Sequence, residues 1–182
     1  MADIFTIVFD REDVLAESTD LRGRLVRHTA PDARAAIDRI AATLSLHCRD
    51  RFVALYCDNR FEWVLLFWGI LKSGNKPYLV NMLQPDAFTD GVMHTLDVAC
   101  VAGMEQIDRF DRPFYTYEQL TSTDAALSAD VPFGNELALT TSGTTGSEKI
   151  CLYTGKEIAA QVLNAEDLTR KTPSLISEFE GN

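Results

Sequence analysis

Phe52-Val53-Ala54-Leu55-Tyr56, the apolar stretch from Phe61 to Leu71 that closes on Lys72-Ser73-Gly74, and Lys76-Pro77-Tyr78-Leu79-Val80 together decide the fold. The first run is short and almost continuously apolar, the pattern of a strand covered on both faces, and the turn-like Asp58-Asn59 ends it. Residues 60–73 are apolar nearly all round, which predicts a buried helix. Lys72 complements the dipole at the end of that helix, and Gly74 can take the left-handed cap. Residues 76–80 then read as the next strand.

The same order recurs outward along the chain, with a helix expected over 86–96 and a strand over 98–102. Upstream, Pro31-Asp32 marks a helix start with Asp32 as N-cap, and Ile37, Ile40, Ala41 and Leu44 form its apolar stripe; residues before it read as an irregular opening. Residues 105–132 are more polar and suggest a surface connection carrying a short helix. Strands are expected at 136–140 and 150–153, followed by a helix capped by Thr154 and running to about Lys171. The predicted class is α/β, a largely parallel sheet flanked by helices.

Composition is consistent with that class. Of 182 residues 46% are hydrophobic, enough to close a core at this length. Seventeen basic and 27 acidic residues give a net charge of −10, and the pI is near 4.7. The averaged field repels phosphate backbones and anionic lipid, so nucleic acid and membrane surfaces are poor partners. The longest apolar run, 63–71, is far short of the roughly 20 residues a bilayer span requires. The N-terminus lacks the basic and apolar regions of a secretory signal, which leads to an expectation of cytoplasmic location. Cys48, Cys57, Cys100 and Cys151 form no Cys-x-x-Cys pair and are read as buried reduced thiols.

The chemistry concentrates in Thr140-Thr141-Ser142-Gly143-Thr144-Thr145-Gly146-Ser147-Glu148-Lys149. Glycine lets the backbone approach an anion, hydroxyls donate to phosphate oxygens, and a lysine adds a neutralising charge. These are the parts of a phosphate cradle. The spacing is not that of a Walker loop, because Ser147-Glu148 separates Gly146 from Lys149, nor that of a dinucleotide fingerprint. His28, His47 and His94 stand alone, so no nucleophilic triad is expected. Asp10, Glu12 and Asp13, and likewise Glu166 and Asp167, read as solvated faces, and Trp63, Phe67 and Trp68 as core.

Residues 137–149 resemble the phosphate-loop signature of the adenylate-forming superfamily, Y-T-S-G-[ST]-T-G-x-P-K-G. The chain matches Thr-Ser-Gly-Thr-Thr-Gly and Lys149, and departs at Thr140, Glu148 and Ile150. Asp50-Arg51-Phe52-Val53-Ala54-Leu55 resembles the family's G-D-x-V-A-L strand, and residues 71–80 its L-K-A-G-x-x-x-x-P segment. The resemblance implies that residues 1–182 are the first part of a large N-terminal AMP-binding domain, with the remainder absent. It implies a ligase of acyl- or aryl-CoA synthetase type that uses ATP and Mg2+ to convert a carboxylic acid to an acyl-adenylate. The acyl group would then pass to CoA or a carrier-protein thiol.

By the same resemblance, Thr141, Ser142, Gly143, Thr144, Thr145, Gly146 and Lys149 bind the nucleotide phosphates. The family's Tyr-Gly-x-Thr-Glu segment, its Thr-Gly-Asp segment and its C-terminal adenylation lysine have no counterparts in these residues, so the isolated chain is expected to be inactive. It is also expected to self-associate through apolar surface meant for later elements. The competing reading is a shortened relative that binds nucleotide or a partner without catalysis.

Overall fold

The computed structural model describes residues 14–19, 23–124, 127, 131–141, 149–157, 160, 161 and 164. The chain opens with an antiparallel hairpin, β1 (Val14–Thr19) and β2 (Leu25–Thr29), where an irregular segment was expected. Its side chains are mostly exposed, so burial leaves no alternation to read. Cross-strand contacts support it instead: Glu17 faces Arg27 in register and accepts from its Nε at 2.9 Å, and Ser18 Oγ lies 2.8 Å from His28 Nε2.

Helix α1 (Ala30–His47) begins before the expected cap. Thr29 is the N-cap, its Oγ1 accepting the Asp32 N–H at 3.3 Å while its hydroxyl donates to the Asp32 carboxylate at 2.6 Å. Pro31 can occupy the first turn because its missing N–H has no helical partner there. The stripe of Ile37, Ile40, Ala41 and Leu44 is fully buried. β3 (Phe52–Tyr56), α2 (Phe61–Lys72) and β4 (Lys76–Leu79) follow as expected, and Gly74 ends the helix with φ +80°.

α3 (Asp86–Thr95) and β5 (Cys100–Gly103) form the next repeat. The polar connection holds α4 (Tyr117–Thr121), closed by a capping box between Thr116 and Gln119, and also a strand, β6 (Phe114–Thr116). Three residues are too few for a periodic signal; pairing with β5 and burial of Phe114 make β6 a strand. β7 (Glu136–Thr141) and β8 (Lys149–Thr154) complete the sheet.

Beyond β8, Thr154 Oγ1 accepts the Glu157 N–H at 3.4 Å and the Glu157 carboxylate accepts the Thr154 N–H at 2.7 Å. Residues 155–157, 160, 161 and 164 are helical. The rest of the helix expected to about Lys171 lies outside the described residues, as do Asp10, Glu12, Asp13, Glu166 and Asp167.

The six strands are ordered β6-β5-β3-β4-β7-β8, and every pairing is parallel except the antiparallel β7 with β8. Successive side chains of β3 serve opposite faces. Val53 and Leu55 pack with Ile37, Ile40, Leu66 and Ile70 on the α1 and α2 side. Ala54 and Tyr56 pack with Tyr78, Val92, Met93 and Val101 on the other, where α3 contributes. Coverage on both faces accounts for the near-continuous apolar runs of the strands. Among the described residues no helix is long and apolar enough to cross a membrane.

Candidate functional site at the carboxyl edge of the sheet

Because β3, β4, β5, β6 and β7 run parallel, their carboxyl ends share one edge. The chain moves from β3 to β4 on one side, then crosses to β5 on the other, so the strand order reverses between β3 and β5. In open α/β sheets such a switch point leaves a crevice where ligands bind. Here that crevice is a cavity of about 220 Å³, lined by Tyr56, Cys57, Asp58 and Arg60 after β3, Met82 after β4, and Met104, Glu105 and Ile107 after β5.

Its walls are held by charge pairs. Arg60 Nε lies 2.6 Å from Asp58 Oδ1 and Nη2 donates to Oδ2 at 2.7 Å, which holds the Asp58 carboxyl below its ordinary range. Arg109 donates to the Tyr56 hydroxyl and pairs with Asp86 at 3.2 Å, its guanidinium 5.1 Å from the Tyr56 ring centre. Burial, and after it the Asp58 carboxylate, push the Cys57 thiol up to about 12. Cys57 thus lines the crevice as a neutral thiol.

β7 ends at the same edge at Thr141, with only β4 between it and β3. β7 and β8 pair without a break from Glu136↔Thr154 to Thr141↔Lys149. The register brings two of the expected site residues, Thr141 and Lys149, side by side as the last pair of the ladder, both exposed. Thr141 Oγ1 lies 3.8 Å from Cys151 Sγ. At the other end Lys76 Nζ, largely buried, meets Glu136 at 3.1 Å and Asp50 at 3.0 Å, tying β7 to β4 and to the entry of β3. Ser142, Gly143, Thr144, Thr145 and Gly146 lie outside the described residues.

Sequence reasoning missed Tyr56, Asp58, Arg60 and Arg109. Asp58-Asn59 after a parallel strand was their one local signal, but only the strand order reveals that the turn borders a switch point. His28 stacks on Phe61 at 4.1 Å and His47 on Tyr115 at 4.6 Å. The cysteines are all free, but Cys48 and Cys151 are half-buried rather than buried. Each sits at an element end or on an edge strand, where one side stays open.

No protein-family model matches the chain, and no curated protein is significantly similar to it. Solved structures do share its fold. An ATP-bound RpMatB–BxBclM chimera superposes with a TM-score of 0.75 at 18% identity, covering 93% of this chain and 38% of that one. The N-terminal subdomain of Klebsiella oxytoca NpsA with 3-hydroxyanthranilyl-AMSN gives 0.64 at 17%, over 84% of this chain and 40% of that one. The o-succinylbenzoate CoA synthetase MenE of Bacillus subtilis with AMP gives 0.62 at 18%, over 81% and 40%. The chain spans well under half the length of these structures. Its α/β architecture, a mostly parallel six-stranded sheet flanked by helices, is thus the fold it shares with part of these CoA synthetase and adenylation structures.

Proposed function

We propose that the whole protein uses ATP to activate a carboxylic acid as an acyl-adenylate, releasing pyrophosphate, and then passes the acyl group to a thiol of CoA or a carrier protein. The observation that carries this reading is the pairing of Thr141 with Lys149, which joins the two ends of the segment Ser142-Gly143-Thr144-Thr145-Gly146-Ser147-Glu148 beside a cation at the carboxyl edge. Hydroxyl donors and backbone N–H groups there would hold the β- and γ-phosphates, and Lys149 would neutralise pyrophosphate as it departs. The carboxylate oxygen would attack the α-phosphorus from the opposite side.

Nucleotides bound in MenE and in the chimera support the choice of ATP. Among the described residues no group of three or more His, Cys, Asp or Glu is placed to hold a metal ion; the magnesium that the resemblance implies would be held mainly by the nucleotide phosphates. Free thiols accord with a reducing, cytoplasmic setting. The exposed Leu152 and Tyr153 on edge strand β8 support self-association of residues 1–182 when studied alone.

The test is ATP–pyrophosphate exchange by the whole protein against a panel of aliphatic and aromatic acids. Exchange that depends on one class of acid supports the reading. ATP binding with no acid-dependent exchange would make the protein a nucleotide-binding module instead. Residues 1–182 alone are expected to give no exchange.

A further inference from the structure

A serine and a histidine ten positions apart meet on one face of the opening hairpin. The register sets Ala16 opposite His28 and Ser18 opposite Val26, so Ser18, Val26 and His28 share that face. Ser18 Oγ lies 2.8 Å from His28 Nε2. Along the chain His28 stands alone; the hairpin supplies its partner. The imidazole stacks on Phe61, the first residue of α2, with ring centres 4.1 Å apart and planes 27° off parallel. That stack orients the ring. Between the hairpin and the start of α2 lies a second cavity, of about 560 Å³, lined by Ser18, Val26 and His28 on one side and by Asn59, Phe61 and Glu62 on the other. It shares Asp58 and Arg60 with the switch-point crevice.

We propose that Ser18 and His28 are a nucleophilic dyad that hydrolyses small neutral carboxylic esters, an activity that needs no nucleotide and does not rest on the reading above. A nucleophile and its base must lie within about 2.6–3.2 Å of one another, with the base oriented by a third group. Here the Phe61 ring takes the orienting part that a carboxylate takes in a Ser-His-Asp triad. With the ring proton on Nδ1, the Ser18 hydroxyl donates to Nε2, the direction that deprotonation requires. Ser18 is exposed and can be reached from solvent, while His28 is half-buried. Val26 and Phe61 offer an apolar wall to the acyl chain. Asp58 is neutralised by Arg60 and Glu62 adds a negative charge, which favours a neutral ester over an anionic one.

Ser18 Oγ attacks the ester carbonyl carbon as His28 Nε2 takes the hydroxyl proton. The C–O bond to the alcohol breaks, the alkoxide leaves with the electron pair, and His28 gives it the proton. Water then attacks the acyl-Ser18 ester and gives a proton to His28, which passes it to Ser18 Oγ as the acid departs. Donors for the negative carbonyl oxygen border the same cavity: the Asn59 amide and the first N–H groups of α2, whose N-cap Arg60 makes no side-chain cap bond.

The experiment treats the full chain, without ATP, with p-nitrophenyl acetate and separately with a fluorophosphonate probe, whose serine adduct does not hydrolyse, and maps the digests by mass spectrometry. The expected results are sustained release of p-nitrophenol and a probe adduct on Ser18. Ser18→Ala, which does not touch the stack of His28 on Phe61, should abolish both. His28→Gln should slow both by about a hundredfold or more, and His94→Gln should change neither. A wild-type map without an adduct on Ser18, ester hydrolysis at the wild-type rate in Ser18→Ala, or an adduct that forms equally fast in His28→Gln would overturn the assignment. Because the wild-type map and Ser18→Ala decide on their own, a poorly folding His28→Gln does not obscure the answer.

Discussion

Gly69 of α2 faces Ile40 of α1 so closely that a β-carbon at Gly69 would overlap the Ile40 side chain. Ile40 is fully buried between the helix pair and the sheet. The absence of a side chain at one position sets the distance between α1 and α2, the helix pair that covers one face of the sheet. Gly69→Ala should therefore destabilise the fold by about 1–3 kcal/mol, although alanine is the better helix former. Adding Ile40→Ala should restore part of the loss, because it vacates the space. Equilibrium urea unfolding of the two single variants and the double variant measures the coupling; strictly additive effects would mean the helices are not in contact there.

Asn75 is fully buried and bonds to three parts of the chain, through Nδ2 to the Cys48 carbonyl and to Ser73 Oγ at 2.8 Å, and through Oδ1 to the Arg51 N–H at 3.2 Å. Asn75→Ala would strand the Arg51 N–H donor and the Cys48 carbonyl acceptor in a partly buried site. A loss of about 2–4 kcal/mol is expected. Asn75→Asp should cost at least as much, since it turns a donor into an acceptor facing the Cys48 carbonyl. A urea midpoint unchanged in both variants would contradict this.

Stability should fall on the alkaline side. The Cys57 thiol sits near 12 in the folded chain, against about 8.5 when exposed. Above the lower value the unfolded chain sheds this proton and the native chain keeps it, so unfolding is favoured as pH rises. Lys76 adds to the same trend: its contacts with Asp50 and Glu136 raise it, and their stabilisation disappears as pH rises through its folded value. Cys48, held low, opposes the trend. Urea unfolding between about pH 8 and about pH 11 should show Cys57→Ala flattening the decline, by up to about 1.4 kcal/mol per pH unit. An identical slope in the variant would remove Cys57 as a cause.

Lys149→Met in the whole protein should slow adenylate formation by about one to two orders of magnitude, the worth of one charge-assisted contact. Charge on pyrophosphate grows as its bond breaks, so the chemical step should suffer more than ATP binding. Single-turnover adenylation, with nucleotide affinity measured separately, distinguishes the two. Equal losses in rate and affinity would assign Lys149 to ground-state binding, and no loss in either would leave residues 142–148 a polar connection.

Residues 52–80 determined the strand, helix and strand at the centre of this fold, because strands covered on both faces and a helix buried nearly all round need apolar residues that no loop would carry. The cradle composition of residues 141–149 was equally legible, since hydroxyls, glycines and a lysine are local chemistry. The β1–β2 hairpin and β6 were not, because exposed or three-residue strands leave no period to read; their identity lies in the partner they bond to. Tertiary structure alone decided the rest. The crevice between Asp58 and Met104 exists only because β5 lies beside β3, and the Thr141–Lys149 pair only because β7 and β8 run in that register. Spacing along a chain cannot encode such meetings, since the intervening residues are free to return by many routes until the sheet fixes one.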